Sequence, residues 1–246
     1  MKTKTRHIVT LLPLLMSIML IGAASPSAGP PAEQRMDAPN GMQISVKMIG
    51  PVTQTTDLQI ICVLKHDPAG DKYIEAMADF NDKLGGLLSN LRERGEFVGE
   101  SGETLLFTPP PNSITPRQVL LIGVGEESEL TIEKLKLAGK IAARQAVLVR
   151  AAHVSFAPTL RDQGSSRIDV GEGDAAVAGQ VVLAYDTQMR LAEQGLAPKM
   201  QITDFIIEAG PKYFDGAAQK VRAAVAVAAD QVKARSGDRY VKTAAR

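Results

Sequence analysis

Gln118-Val119-Leu120-Leu121-Ile122-Gly123-Val124-Gly125, followed after an acidic turn by Leu130-Thr131-Ile132-Glu133-Lys134-Leu135, carries the clearest structural signal in the chain. Its first part is a continuous apolar run of strand length closed by glycines, the pattern of a strand buried on both faces. Its second part opens a helix. Thr131 is placed to cap it, Glu133 and Lys134 sit in the first turn, and Leu135, Ala138, Ile141, Ala142 and Gln145 follow one side towards Val149. A buried strand passing through a short turn into an amphipathic helix is the building unit of a layered α/β sheet.

The same alternation extends in both directions. Upstream, Ile44, Val46 and Met48 alternate with polar residues as in a half-buried strand, and Leu58 to Leu64 is a second continuous apolar run. Over residues 72–92, Ile74, Met77, Phe80, Leu84, Leu87, Leu88 and Leu91 recur at helical spacing and predict one helix, weakened locally by Gly85 and Gly86. A short strand over 104–108 is cut off from the next by Pro109-Pro110-Pro111, because proline lacks the N–H that a ladder needs. Downstream, strands are expected at 153–157 and 205–208 and helices at 174–193 and 214–234, with a glycine-containing loop over 162–173. The element order predicts one α/β domain, a three-layer αβα arrangement with helices covering both faces of the sheet.

Composition narrows the function classes. Lys plus Arg number 28 against 27 for Asp plus Glu, so bulk charge points to no polyanionic partner, and no nucleic acid is expected. With no Trp and 4% aromatic residues, the chain also lacks the stacking platforms that single-stranded nucleic acids use. Cys62 is the only cysteine, lies inside an apolar run and reads as a small buried hydrophobe.

The N-terminus has a different character. Lys2, Lys4 and Arg6 precede an apolar run from Ile8 to about Ala24 and small residues up to Ala28, the layout of a secretory leader over residues 1–28 with a cut near Ala24 or Ala28. The run is slightly short of the roughly 20 residues of a spanning helix and Pro13 interrupts it, so no stable membrane anchor is expected after cleavage. Removing Lys2, Lys4 and Arg6 leaves 25 basic against 27 acidic side chains. An exported protein, periplasmic or secreted, is the expectation. Residues 29–41, rich in Pro and Gly, read as a flexible tether, residues 42–235 as the domain, and residues 236–246 as a C-terminal tail.

The opening stretch resembles the N-terminal domain of M17 leucyl aminopeptidases, in which a strand ending G-[LV]-G leads through an acidic turn into a helix starting L-T-x-E-x-L. Gly102-Glu103-Thr104-Leu105-Leu106-Phe107 is similar to that family's preceding strand, and residues 138–144 to its alanine-rich helix. Gln180-Val181-Val182-Leu183-Ala184-Tyr185-Asp186 is similar to the helix that usually reads G-x-x-L-x-x-Y-x-F-D. The resemblance covers about residues 42–235 and implies a mixed sheet between helices, related to the macro-domain fold. In that family the chemistry belongs to a separate C-terminal domain with the signature N-T-D-A-E-G-R, a motif not present in this sequence.

These readings nominate no catalytic residue, no metal ligand and no cofactor. A two-metal site needs several convergent donors, and beyond the leader the histidines are His66 and His153, both read as structural or solvated. The acidic stretch 169–174 fits no EF-hand spacing. Gly123, Val124 and Gly125 are the ligand-binding candidates, since glycines after a strand let backbone N–H groups approach a phosphate. Glu126, Glu127 and Glu129 crowd the same turn and oppose a diphosphate, which favours a plain strand-to-helix turn. The leading functional expectation is a non-catalytic interaction or regulatory domain that self-associates or docks on a related peptidase. The alternative is a macro-like module binding a nucleotide or ADP-ribose type ligand, and metallo-aminopeptidase activity follows from the family name alone.

Overall fold

A computed structural model describes residues 32–241; the expected leader, residues 29–31 and residues 242–246 lie outside the described residues. Seven strands form one mixed sheet: β1 (Glu33–Asp37), β2 (Gln43–Lys47), β3 (Leu58–Leu64), β4 (Thr104–Phe107), β5 (Gln118–Gly125), β6 (His153–Ala157) and β7 (Asp204–Glu208). Their spatial order is β1-β2-β7-β6-β3-β5-β4. The five inner strands run parallel, and β1 and β4 close the two edges antiparallel. The helices are α1 (Glu75–Lys83), α2 (Leu87–Glu93), α3 (Ile132–Leu148), α4 (Val170–Glu193) and α5 (Phe214–Ala234).

Side-chain alternation along each strand divides the core in two. Leu58, Ile60 and Cys62 of β3, with Phe205 and Ile207 of β7, pack under α3, α4 and α5. Ile61 and Val63 of β3, with Val119 and Leu121 of β5, meet Met77 and Phe80 of α1 and Leu88 of α2 on the opposite face. Every residue of β3 is therefore buried, as its unbroken apolar run predicts. Each such Ile or Leu contributes roughly 1.5–3 kcal/mol through burial. Thr131 caps α3, its hydroxyl accepting from Lys134 N, as expected.

Four expectations need correction. Residues 33–41 are not a tether: Glu33-Gln34-Arg35-Met36-Asp37 is an edge strand in register with residues 43–47. Only Met36 of this strand is buried, so no apolar alternation announces it, and its charges suit an open edge. The helix expected over 72–92 is two helices, because Gly85 (φ 66°) and Gly86 (φ 79°) adopt left-handed conformations between α1 and α2. The strand expected over 104–108 stops at Phe107. The loop expected over 162–173 ends early, since α4 begins at Val170 with Asp169 as its cap, accepting from Glu172 N at 3.0 Å. Gly171 and Gly173 thus lie inside the first turns of α4, where they serve close packing. A Cβ on Gly171 would lie 3.2 Å from Gly216 O of α5. The described part of the tail docks on α4: Ser236 O accepts from Arg190 and Tyr240 N donates to Gln194 Oε1.

Candidate functional site

Five parallel strands end on the same side of the molecule, and the segments that leave them must turn back there into helices. In open α/β sheets this C-terminal edge is where crevices form. Here it holds a cavity of about 540 Å³, within the range of small-molecule sites. Its walls are residues 49–51 after β2, residues 72–76 at the start of α1, residues from 157 to 177 between β6 and the second turn of α4, and residues 208–213 between β7 and α5.

Two residues on these walls hold strained backbone. Thr159 has φ 51° and Glu75 φ 47°; for a β-branched residue such a value is a steric outlier. Conformations of this kind cost about 1–3 kcal/mol each and persist where the surroundings over-determine them. The fastening of Thr159 is visible. Its hydroxyl donates to Cys62 O at 2.7 Å, while Gln163 Nε2 donates to Cys62 O at 2.9 Å and to Thr159 O at 3.1 Å. Leu64 N donates back to Gln163 Oε1 at 2.9 Å. One amide side chain thus ties the β6–α4 connection to the end of β3.

Carboxyl groups dominate the polar lining. Asp174, in the second turn of α4, is 1% exposed, and neither carboxylate oxygen has a hydrogen-bond partner. Burial, with the charge of Asp169 as a smaller cause, raises its pKa well above the usual carboxylate range. Glu208 ends β7 and points to the opposite face of the sheet, since its neighbour Ile207 joins the core under α4. Burial pushes Glu208 up to about 7, although Ser155 Oγ donates to its Oε1 at 2.5 Å. Its Oε2 has no partner, nor has Oε1 of the neighbouring Gln59. The hydrogen bonds from Ser155 and Gln59 and the charge of Lys47 act the other way, and burial outweighs them. On the same lining, Asp162 is raised to about 6 by burial and by the charge of Glu75. Lys72, Arg161 and Lys212 supply the basic groups around the same cavity.

Gly123, Val124 and Gly125 lie elsewhere. They end β5 and do not border the cavity, and the amides that were to cradle a phosphate are already engaged. Gly123 N donates to Glu103 O at 2.8 Å and Gly125 N to Gly99 O at 2.9 Å. A Cβ on Gly123 would sit 2.1 Å from Glu100 O, so glycine is required there by a crossing backbone. His66 Nδ1 lies 2.9 Å from Asp71 Oδ2, and His153 Nδ1 lies 2.8 Å from Asp204 Oδ2; neither borders the cavity. Sequence reasoning missed Asp174 as a site residue. The available signal was its inward position on α4, four residues before Ala178 and three before Val177, where the helical stripe is otherwise apolar.

The comparisons with known proteins agree with this architecture. The model of the cytosol aminopeptidase family, N-terminal domain, matches residues 61–185, half of the chain. A probable cytosol aminopeptidase of Pseudomonas syringae pv. tomato is 34% identical over 102 residues, covering 41% of this chain and 19% of that protein. One of Idiomarina loihiensis is 37% identical over 90 residues, covering 36% and 17%. The matched stretch is thus about a fifth of the length of these relatives. Among solved structures, tomato leucine aminopeptidase superposes with a TM-score of 0.56 at 23% identity, over 80% of this chain and 38% of its own. An Oceanobacillus iheyensis macrodomain with ADP superposes with a TM-score of 0.57 at 12% identity, over 81% and 100%. The fold is macrodomain-like, and the chain belongs to the cytosol aminopeptidase family, matching its N-terminal domain.

Proposed function

We propose that this is a non-catalytic binding domain that takes a small molecule in the cleft at the C-terminal edge of its sheet. The observation that carries this reading is the cavity of about 540 Å³ walled by strained backbone at Thr159 and Glu75. Strained backbone of this kind concentrates at ligand clamps, where a ligand must be met by preset geometry. The macrodomain solved with ADP shares the fold and supports the reading of the cleft as a ligand site. The lining differs from what a diphosphate needs, with Glu75, Asp162, Asp169, Asp174 and Glu208 against Lys72, Arg161 and Lys212.

A thermal-shift screen of nucleotides, amino acids, amines and sugars against the mature chain tests the proposal. At least one class is expected to raise Tm by about 2 °C or more at ligand far above its Kd. Ser166, exposed and bordering the cavity, offers the control: Ser166→Trp is expected to crowd the cavity and abolish the shift without lowering the Tm of the free protein. No response from any class, or an undiminished response in the tryptophan variant, overturns the reading. The non-catalytic part is tested by leucyl-anilide hydrolysis with zinc or manganese, for which no turnover is expected.

A further inference from the structure

We propose that Asp174 anchors the cationic end of a small zwitterion, a molecule carrying a primary ammonium at one end and a carboxylate or phosphate at the other. The proposal rests on the cleft being a ligand site and specifies the ligand's chemistry. A carboxyl group can accept several hydrogen bonds, and leaving a buried one with none is costly. Asp174 is buried to 99% and accepts none, on either oxygen, and it borders the cavity. Gly173 precedes it, and a Cβ there would already lie 2.9 Å from Leu135 Cδ1.

The groups that could neutralise Asp174 from within the protein are placed elsewhere. Lys220 reaches Asp169 at 2.7 Å and Glu172 at 3.6 Å, on the outside of the same helix start. Lys72, Arg161 and Lys212 line the cavity but make no ion pair among the described residues. Lys72 lies with its stem against Gly164, where a Cβ would be 2.8 Å from its Cδ, and Lys212 Nζ stands 5.3 Å from the centre of the Tyr213 ring. Arg161 is partly occupied, its Nη2 donating to Ile168 O at 3.1 Å. The cleft therefore has a buried unsatisfied acid and unpaired bases among its lining residues. An ammonium gives Asp174 the donors both its oxygens lack, and an anion on the same molecule meets the bases. A simple amine leaves those bases unmatched, and a simple anion leaves Asp174 unmatched.

Isothermal titration of the mature chain with a ladder of ω-amino acids from glycine to 5-aminovalerate, and with phosphorylethanolamine, tests this. One or more of them is expected to bind, and its N-acetyl derivative and its deaminated acid to bind at least tenfold more weakly. Asp174→Asn is expected to erase that preference, giving a similar weak affinity for the parent and its N-acetyl derivative. The free variant is expected to be at least as stable as the parent, because the carboxyl has no partner to lose, so a folded protein will be available for the measurement. Asp174→Ala serves the same purpose if the asparagine variant fails to fold. Equal binding of parent and N-acetyl derivative, or a preference undisturbed in Asp174→Asn, overturns the proposal. A nucleotide that binds where every zwitterion fails also overturns it while leaving the cleft intact as a ligand site. Failure of every compound, with no thermal shift in the wider screen, overturns both.

Discussion

At the scale of single residues, the acids in the cleft have a thermodynamic signature independent of any ligand. Glu208 is pushed up to about 7 in the folded protein from an ordinary glutamate's 4.5, with burial as the main cause. The native state therefore holds this proton more tightly than the unfolded chain, and stability falls as pH rises from about 4.5 to about 7. The full effect of that shift is roughly 3 kcal/mol. Asp174 is shifted in the same direction and adds to the slope. Urea denaturation between pH 4.5 and 8 is expected to show this fall in stability. Glu208→Gln is expected to flatten it, since an amide keeps the shape and takes no charge; an unchanged slope in the variant contradicts the assignment. Little of this was legible in the sequence. In the sequence Asp174 reads as one member of an acidic stretch, and only its spacing to Val177 and Ala178 sets it on the buried stripe of α4. The glycines at 123 and 125 were conspicuous, but glycine is also what a backbone crossing demands.

At the scale of elements, α3 and α4 pack in close contact. A Cβ on Gly139 would meet Val177 O at 2.6 Å, so the two helices approach closely enough that no side chain fits between them. Gly139→Val is expected to destabilise by at least about 2 kcal/mol through overpacking, which for a domain of this size corresponds to a Tm lower by roughly 4–8 °C. Differential scanning calorimetry measures it, and a Tm within 1 °C of the parent would refute the contact. The major elements were largely legible. β3, β6 and α5 occupy the residues expected, because an unbroken apolar run and a helical stripe are strong local signals. β1 was missed because an edge strand with one buried side chain carries almost no pattern. The early start of α4 was missed because Gly171 and Gly173 lower helix propensity, and the contacts that repay that loss come from α3 and α5, distant in sequence.

At the scale of the whole molecule, the three-layer plan and the family followed from the strand–turn–helix stretch at 118–135, whereas the cleft did not, because it is assembled from four connections spread over residues 49–213. Export also belongs to this scale. The leader reading predicts that the chain, expressed with its first 28 residues in a secreting bacterium, is recovered outside the cytoplasm. Intact mass measurement is expected to show a new N-terminus at Ser25 or Gly29. Full-length protein retained in the cytoplasm would disprove the reading. Among the described residues no helix is long and apolar enough to cross a membrane.

Cys62 sits on the central strand β3, wholly buried, and burial pushes its thiol far above the ordinary range. It is the one thiol in the entire chain. An alkylating reagent can therefore reach sulfur only when the sheet itself opens, and the incorporation of a single label, counted over time in buffer without denaturant, becomes a clock for how often the native molecule comes apart.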